Sequence, residues 1–273
     1  MQAQGLTRAG PWPCLEAGDG EAIVLMHGAL GDLRTLAPVV PHLAHRGRVV
    51  TWTQRGFGTG AFAGPALDVP FGTAQQADDL IAFLDTRGLA RAHVVAWSLS
   101  AHSALAAAVR HPARFASLCV YDLGFPTFIT DPACLEALAT EVGPVFAAIG
   151  DALQSGGVLA AAEAMIDASG GPGTFRHAPD ALQAPWRENA PTLPLLFQQT
   201  PPVPLDAHAL SSLPVPTTVG WGAASGAYRT VSRAAAALIP GARAIEIAGA
   251  GHLWPQQAPA AFAAFVASHL DAL

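Results

Sequence analysis

The chain has 273 residues, 12% of them charged and 51% hydrophobic, with 14 basic side chains against 20 acidic ones and a net charge of -6. Every basic residue is arginine, which excludes Schiff-base chemistry, pyridoxal enzymes and the phosphate loop ending in Gly-Lys-Ser/Thr, since each needs an amine. So low a charge excludes disorder and predicts a large buried core, and the acidic balance argues against a nucleic-acid partner.

Cys14, Cys119 and Cys134 are too few and too far apart for a disulfide framework or a zinc site. No metal and no organic cofactor is expected. Residues 1–8 carry no secretion-signal pattern, and no segment reads as the roughly twenty apolar residues that cross a bilayer. The expectation is a cytoplasmic protein with a small-molecule substrate and no membrane partner; the sequence leaves the oligomeric state open.

In chain order, short apolar runs predict buried strands at 22–26, 49–53, 93–97, 117–121, 215–220 and 244–247. Helical spacing falls between most of them, at 34–45, 73–87, 99–110, 229–239 and 259–270. In 73–87, Leu80, Ile81, Phe83 and Leu84 form the apolar face, while Gln75, Gln76, Asp78 and Asp79 stay wet. Alternating strands and helices imply an α/β fold, with a mostly parallel sheet and crossover helices on both faces. The rhythm breaks at 124–212, rich in Pro and Gly (Gly170-Gly171-Pro172-Gly173, Pro201-Pro202), where helical patterns at 132–149, 155–168 and 179–198 carry no strand. This stretch reads as a helical lid inserted between core segments 1–123 and 213–273.

Five segments point to chemistry. In Val94-Val95-Ala96-Trp97-Ser98-Leu99-Ser100 a strand enters a serine and a helix leaves it. A turn that sharp requires small residues two positions either side, here Ala96 and Ser100 where glycines are usual. It would expose the serine oxygen beside a helix N-terminus that favours negative charge. Ala22-Ile23-Val24-Leu25-Met26-His27-Gly28-Ala29-Leu30-Gly31-Asp32 is a strand running into a loop able to aim a backbone N–H at a developing oxyanion. Thr53-Gln54-Arg55-Gly56-Phe57-Gly58 follows the next strand, and Thr73–Leu80 opens the helix before the serine strand. Near the end, Ala248-Gly249-Ala250-Gly251-His252-Leu253-Trp254-Pro255 puts a histidine on a loop after the last strand.

Together, and in this order, these segments resemble the α/β-hydrolase family, in its lidded esterase, lactonase and C–C hydrolase branch. The resemblance runs from about residue 20 to the end and is weakest over the lid. It implies Ser98 as nucleophile, His252 as general base, and the N–H groups of Ala29 and Leu99 as oxyanion donors. The family's acid follows the strand at 215–220 in a Trp-Gly-x-x-Asp context, but here the stretch is Trp221-Gly222-Ala223-Ala224-Ser225. Some relatives carry the acid after the strand that follows the nucleophile helix, which in Leu118-Cys119-Val120-Tyr121-Asp122 singles out Asp122; a strand-end turn cap is the competing role. Glu246 lies inside the last strand and Asp206 in the lid, so both are poor substitutes.

His27, Gly28, Trp97 and Trp254 are the expected pocket residues, His27 chiefly as a loop anchor. Arg176, His177 and Arg187 of the lid could hold a substrate carboxylate, although a surface position is the simpler reading. The glycines at 56, 58, 60 and 64 are followed by Pro65, Asp68 and Pro70 where a phosphate-binding helix would start, so the stretch reads as a loop rather than a dinucleotide site. The expected reaction is hydrolysis of a small, mostly apolar ester or lactone through an acyl-enzyme. The alternatives are C–C bond hydrolysis with the same residues, a ligand-binding protein impaired by the missing acid at 225, and a cofactor-free lyase or haloperoxidase-like activity.

Overall fold

The computed structural model describes residues 5–69, 71–199 and 205–273; residues 1–4, Pro70 and Pro201-Pro202 of the sequence reading lie outside the described residues. Two strands, β1 (Thr7–Ala9) and β2 (Trp12–Ala17), precede β3 (Ala22–Met26). Two short helices, α1 (Leu33–Leu36) and α2 (Val40–Leu43), then lead to β4 (Arg48–Trp52), α3 (Thr73–Thr86), β5 (Ala92–Trp97), α4 (Leu99–Arg110) and β6 (Phe115–Tyr121). A run of helices follows: α5 (Pro132–Gly170), α6 (Thr174–His177), α7 (Asp180–Asn189), α8 (Leu193–Gln198) and α9 (Ala207–Ser211). β7 (Thr217–Gly222), α10 (Ala227–Leu238), β8 (Arg243–Ile247), α11 (Trp254–Gln257) and α12 (Pro259–Leu270) complete the chain.

The eight strands form one sheet in the order β1-β2-β4-β3-β5-β6-β7-β8. β3 through β8 pair in parallel, whereas β1 and β2 run antiparallel to their neighbours. This is the mostly parallel, helix-flanked sheet expected from the alternation of patterns. Strands buried on both faces read as unbroken apolar runs because alternate side chains serve two cores. Val24, Met26, Val94 and Ala96 pack with α3 and α4, while Ile23, Leu25, Val95 and Trp97 pack with α2 and α12. β1 and β2 escape the pattern reading because β1 has three residues and prolines interrupt the run at 11 and 13.

Prolines also cut the helical spacing at 34–45 into α1, a 3-10 turn and α2. The patterns at 132–149 and 155–168 both lie in α5, which Gly157 breaks with a non-helical φ of 76°. By length and composition α5 is apolar enough to cross a membrane, which corrects the expectation that no segment would be. Alanine, with scattered Val, Leu, Ile and Phe, makes it so: the helix carries few charges at wide spacing, so a long window stays apolar. Leu138, Ile149, Ala161, Ala162 and Ile166 are its buried residues.

Candidate active site

Ser98 joins β5 to α4 with φ 60° and ψ -123°. Such a conformation costs an L-residue on the order of 1–3 kcal/mol and persists only where its surroundings enforce it. Here the Ser98 N–H donates to the Tyr121 carbonyl at 3.0 Å, and the Ser98 carbonyl accepts from the Ala101 N–H at 3.0 Å. Ser100, standing where glycine is usual, turns its hydroxyl to the His27 carbonyl and to Gln54. Gly28 lets the β3 loop approach: a Cβ there would lie 3.1 Å from the Ser98 Cβ and 3.3 Å from the Trp97 ring.

The Ser98 hydroxyl and His252 Nε2 are 3.0 Å apart. On the other side of the ring, His252 Nδ1 lies 3.0 Å from Asp122 Oδ2. Asp122 sits just past the end of β6, fully buried, with φ 53°. Its N–H donates to the Gly220 carbonyl at 3.0 Å, and its Oδ1 accepts the Gly222 N–H at 3.2 Å. The carboxylate therefore both ties β6 to β7 and faces the imidazole. Ser225 borders the cavity that His252 also lines, next to Tyr121: a Cβ on Gly222 would meet the Ser225 Oγ at 2.5 Å and the Tyr121 hydroxyl at 2.7 Å. Glu246 accepts the Trp221 indole N–H, and Asp206 caps α9 through the Ala209 N–H.

The His252 loop is fixed by side chains that no motif announces. Tyr121 donates its hydroxyl to the Gly251 carbonyl at 2.9 Å. Tyr228, at the start of α10, lies flat on the imidazole with ring centroids 3.7 Å apart and planes 9° from parallel. Burial, with the Asp122 charge beside it, pushes the Tyr228 phenol up to about 12, so it stays a neutral face at physiological pH.

His27 is a loop anchor, as its place in the sequence suggested, and as a fully buried side chain it does not line the pocket. Its Nδ1 lies 2.8 Å from the Gly28 carbonyl, and its Nε2 accepts the Gln54 N–H at 3.2 Å. Burial lowers its pKa to about 4, against weaker raising effects of the Gly28 bond and Asp32, so the ring is neutral. Trp254 is corrected from a pocket residue: as the first residue of α11 it packs on Tyr121, with centroids 5.4 Å apart, and on Phe262 and Phe265. The Trp97 ring instead lines the space at Ser98. Leu99 is the first residue of α4, where an N–H has no helical carbonyl to bond.

Two cavities meet at His252. The smaller, about 20 Å³, is lined by Ser98, Ala29, Leu30, Trp97 and Ile166 among others. The larger, about 240 Å³, is bounded by Tyr228, Val231, Leu138, Ile149 and Phe146, with the Glu141 carboxylate on its wall. Met165, Ser169 and His252 border both. The lid cations face neither: Arg176 pairs with Glu163 at 2.5 Å, His177 bonds the Gly173 carbonyl, and Arg187 stands over the Phe175 ring.

The lid is clasped to the core beside the β3 loop. Asp32 caps α1 and pairs with Arg34, which also reaches Glu188 of α7 at 2.7 Å. Asn189 donates to Asp32 at 3.1 Å and accepts the Gly58 N–H at 2.7 Å. Arg55 grips Asp79 through two nitrogens, at 2.8 and 3.0 Å, joining the Gly56–Gly58 loop to α3.

The sequence profile of the alpha/beta hydrolase family matches residues 23–265. The chain belongs to that family. Among solved structures, an esterase from Thermogutta terrifontis superposes with a TM-score of 0.72 at 22% identity, covering 95% of this chain and 93% of the other. The enol-lactonase from Burkholderia xenovorans LB400 superposes with a TM-score of 0.75 at 21% identity, covering 98% and 100%. Among curated proteins, one from Caulobacter sp. (strain K31), assigned by name as the carbamate hydrolase RutD, is 36% identical over 104 residues, 38% of each chain. Ethanol acetyltransferase 1 of Kluyveromyces marxianus is 31% identical over 104 residues, 37% of this chain and 27% of that one. The matched stretch thus spans about two fifths or less of these curated relatives.

Proposed function

We propose that the chain hydrolyses a small, mostly apolar ester through a covalent intermediate on Ser98. The observation that carries this reading is the unbroken line of contacts from Ser98 through His252 to Asp122, at 3.0 Å and 3.0 Å. A serine hydroxyl is a weak nucleophile until a base takes its proton during attack. His252 Nε2 takes that proton as Ser98 Oγ bonds to the substrate carbonyl carbon. Asp122 keeps the other ring nitrogen protonated and stabilises the imidazolium that forms. The carbonyl electrons move onto oxygen, facing the N–H groups of Ala29 and Leu99; each such donor contributes roughly 3–4 kcal/mol in comparable sites. Collapse breaks the carbonyl carbon bond to the leaving oxygen, which takes the proton from His252. Water, deprotonated by the same ring, then releases the acid and restores Ser98.

The same steps serve a lactone, where acid and alcohol stay in one molecule, or a carbamate, the bond named for the Caulobacter relative. The contact of Asp122 with His252 supports hydrolysis over ligand binding by an impaired protein, since it offers a carboxylate in place of the one missing at Ser225. The test is steady-state hydrolysis of p-nitrophenyl acetate by the wild type, Asp122→Asn and Ser225→Ala. Loss of about 10⁴ in kcat for Asp122→Asn, with Ser225→Ala close to wild type, is the expected result. Full activity in Asp122→Asn overturns the relocated acid.

A further inference from the structure

We infer that the enzyme takes esters with an acyl group of one or two carbons and a bulkier, apolar, uncharged alcohol or phenol. This rests on the Ser98 acyl-enzyme reading and narrows its substrate. In any such reaction the two halves of the substrate occupy different places. The acyl carbon bonds to Ser98 Oγ, so its substituent must fit the space that Ser98 itself borders. The leaving oxygen collects its proton from His252, so its substituent extends on the histidine side.

The cavity at Ser98 has about 20 Å³ and is bordered on its acyl side by Trp97, Leu30 and Ile166. Such a volume holds about one water-sized group. Leu30, Trp97 and Ile166 are all at least 96% buried within packed core, so the walls do not give way cheaply. The loop that carries Leu30 is held in place by the Gln54 amide and the Ser100 hydroxyl, both of which donate to the His27 carbonyl. A carbonyl bearing hydrogen, methyl or amino fits this space, whereas a butyryl chain overfills it.

On the other side of Met165 and Ser169 the cavity of about 240 Å³ has an apolar wall of Leu138, Val142, Ile149 and Val231. Its fixed charge is the Glu141 carboxylate, whose Oε1 would lie 2.7 Å from a Cβ on Gly226. Arg176 and Arg187 of the lid stand against Glu163 and the Phe175 ring, and among the described residues no arginine borders this cavity. The size and polarity of the two spaces together assign the small acyl group to Ser98 and the large neutral group to the Tyr228 side.

The test is kcat/KM for p-nitrophenyl acetate, butyrate and octanoate, with one leaving group throughout. The expected result is a fall of about tenfold or more from acetate to butyrate and a further fall to octanoate, the size of effect that added methylenes have in a filled pocket. Ile166→Ala should raise the butyrate-to-acetate ratio by about fivefold or more, and Ile166→Val should raise it less. A wild type that prefers butyrate or octanoate, or a ratio unmoved in both variants, overturns the inference while leaving the acyl-enzyme standing. Failure to turn over any of the three esters overturns the acyl-enzyme reading itself, and this inference with it.

Discussion

Tyr228 stacks face to face on His252, centroid to centroid at 3.7 Å, making one wall of the imidazole aromatic while Asp122 bonds its edge. An aromatic face attracts a cation, and the attraction is worth about 0.5–2 kcal/mol when water is excluded. It acts on the imidazolium that forms during turnover more than on the neutral ring.

Removing that face should therefore slow the reaction without abolishing it. Tyr228→Leu is expected to lower kcat by roughly three- to thirty-fold, with KM changed less, because the lost contact belongs to the charged state. Tyr228→Phe keeps the face and should stay within about twofold of wild type. Equal losses in both variants would assign the effect to the phenol oxygen instead.

The buried histidines set an acid limit on stability. Burial lowers His27 to about 4, and burial together with His93 and Arg243 lowers His269 to about 4, from the ordinary imidazole value of 6.5. Between those values the unfolded chain binds protons that the folded chain refuses, so stability is full above about pH 6.5 and drains as pH falls toward 4. Each imidazole withdraws up to about 3 kcal/mol over that window. Asp32, raised by burial but held lower on balance by Arg34, and Glu188, lowered by the same arginine, add their losses below about pH 4. Urea midpoints measured from pH 8 to 4 should be flat at first and then fall. A midpoint that rises or stays level down to pH 4 contradicts the neutral, buried state of both rings.

The clasp between lid and core should govern local opening. Asn189 is buried and bonds both Asp32 and the Gly58 N–H, so Asn189→Ala leaves polar partners unmet. A loss of about 1–3 kcal/mol is expected, concentrated in α7 and the Gly58 loop. Hydrogen exchange should quicken in those two segments and remain slow in β5 and β6. Uniform quickening would mean that the bonds support the whole fold rather than the lid.

The sheet and the positions of Ser98 and His252 were readable because parallel strands advertise themselves as apolar runs and a strand-to-helix turn demands small neighbours. Asp122 was readable as a carboxylate at a strand end, but its choice over Ser225 depended on which loop reaches the imidazole, a matter of three-dimensional approach. Tyr228 was not readable. It lies 24 residues before His252 in an amphipathic helix, and nothing in its spacing separates a stacking residue from a packing one. Trp254 was placed in the pocket by its proximity to the His252 loop, yet it packs on Phe262 and Phe265 at the edge of the core, while Gln54 and Gly28 hold His27 as the loop anchor its position suggested. Adjacency along the chain gives a residue's address but not its direction.

The central claim is that Ser98 forms a covalent bond with substrate. Incubation with a fluorophosphonate, followed by intact mass and peptide mapping, measures it directly. The account predicts a single adduct on Ser98 in the wild type and none in Ser98→Ala. An adduct on another residue, or equal labelling of both proteins, would contradict it.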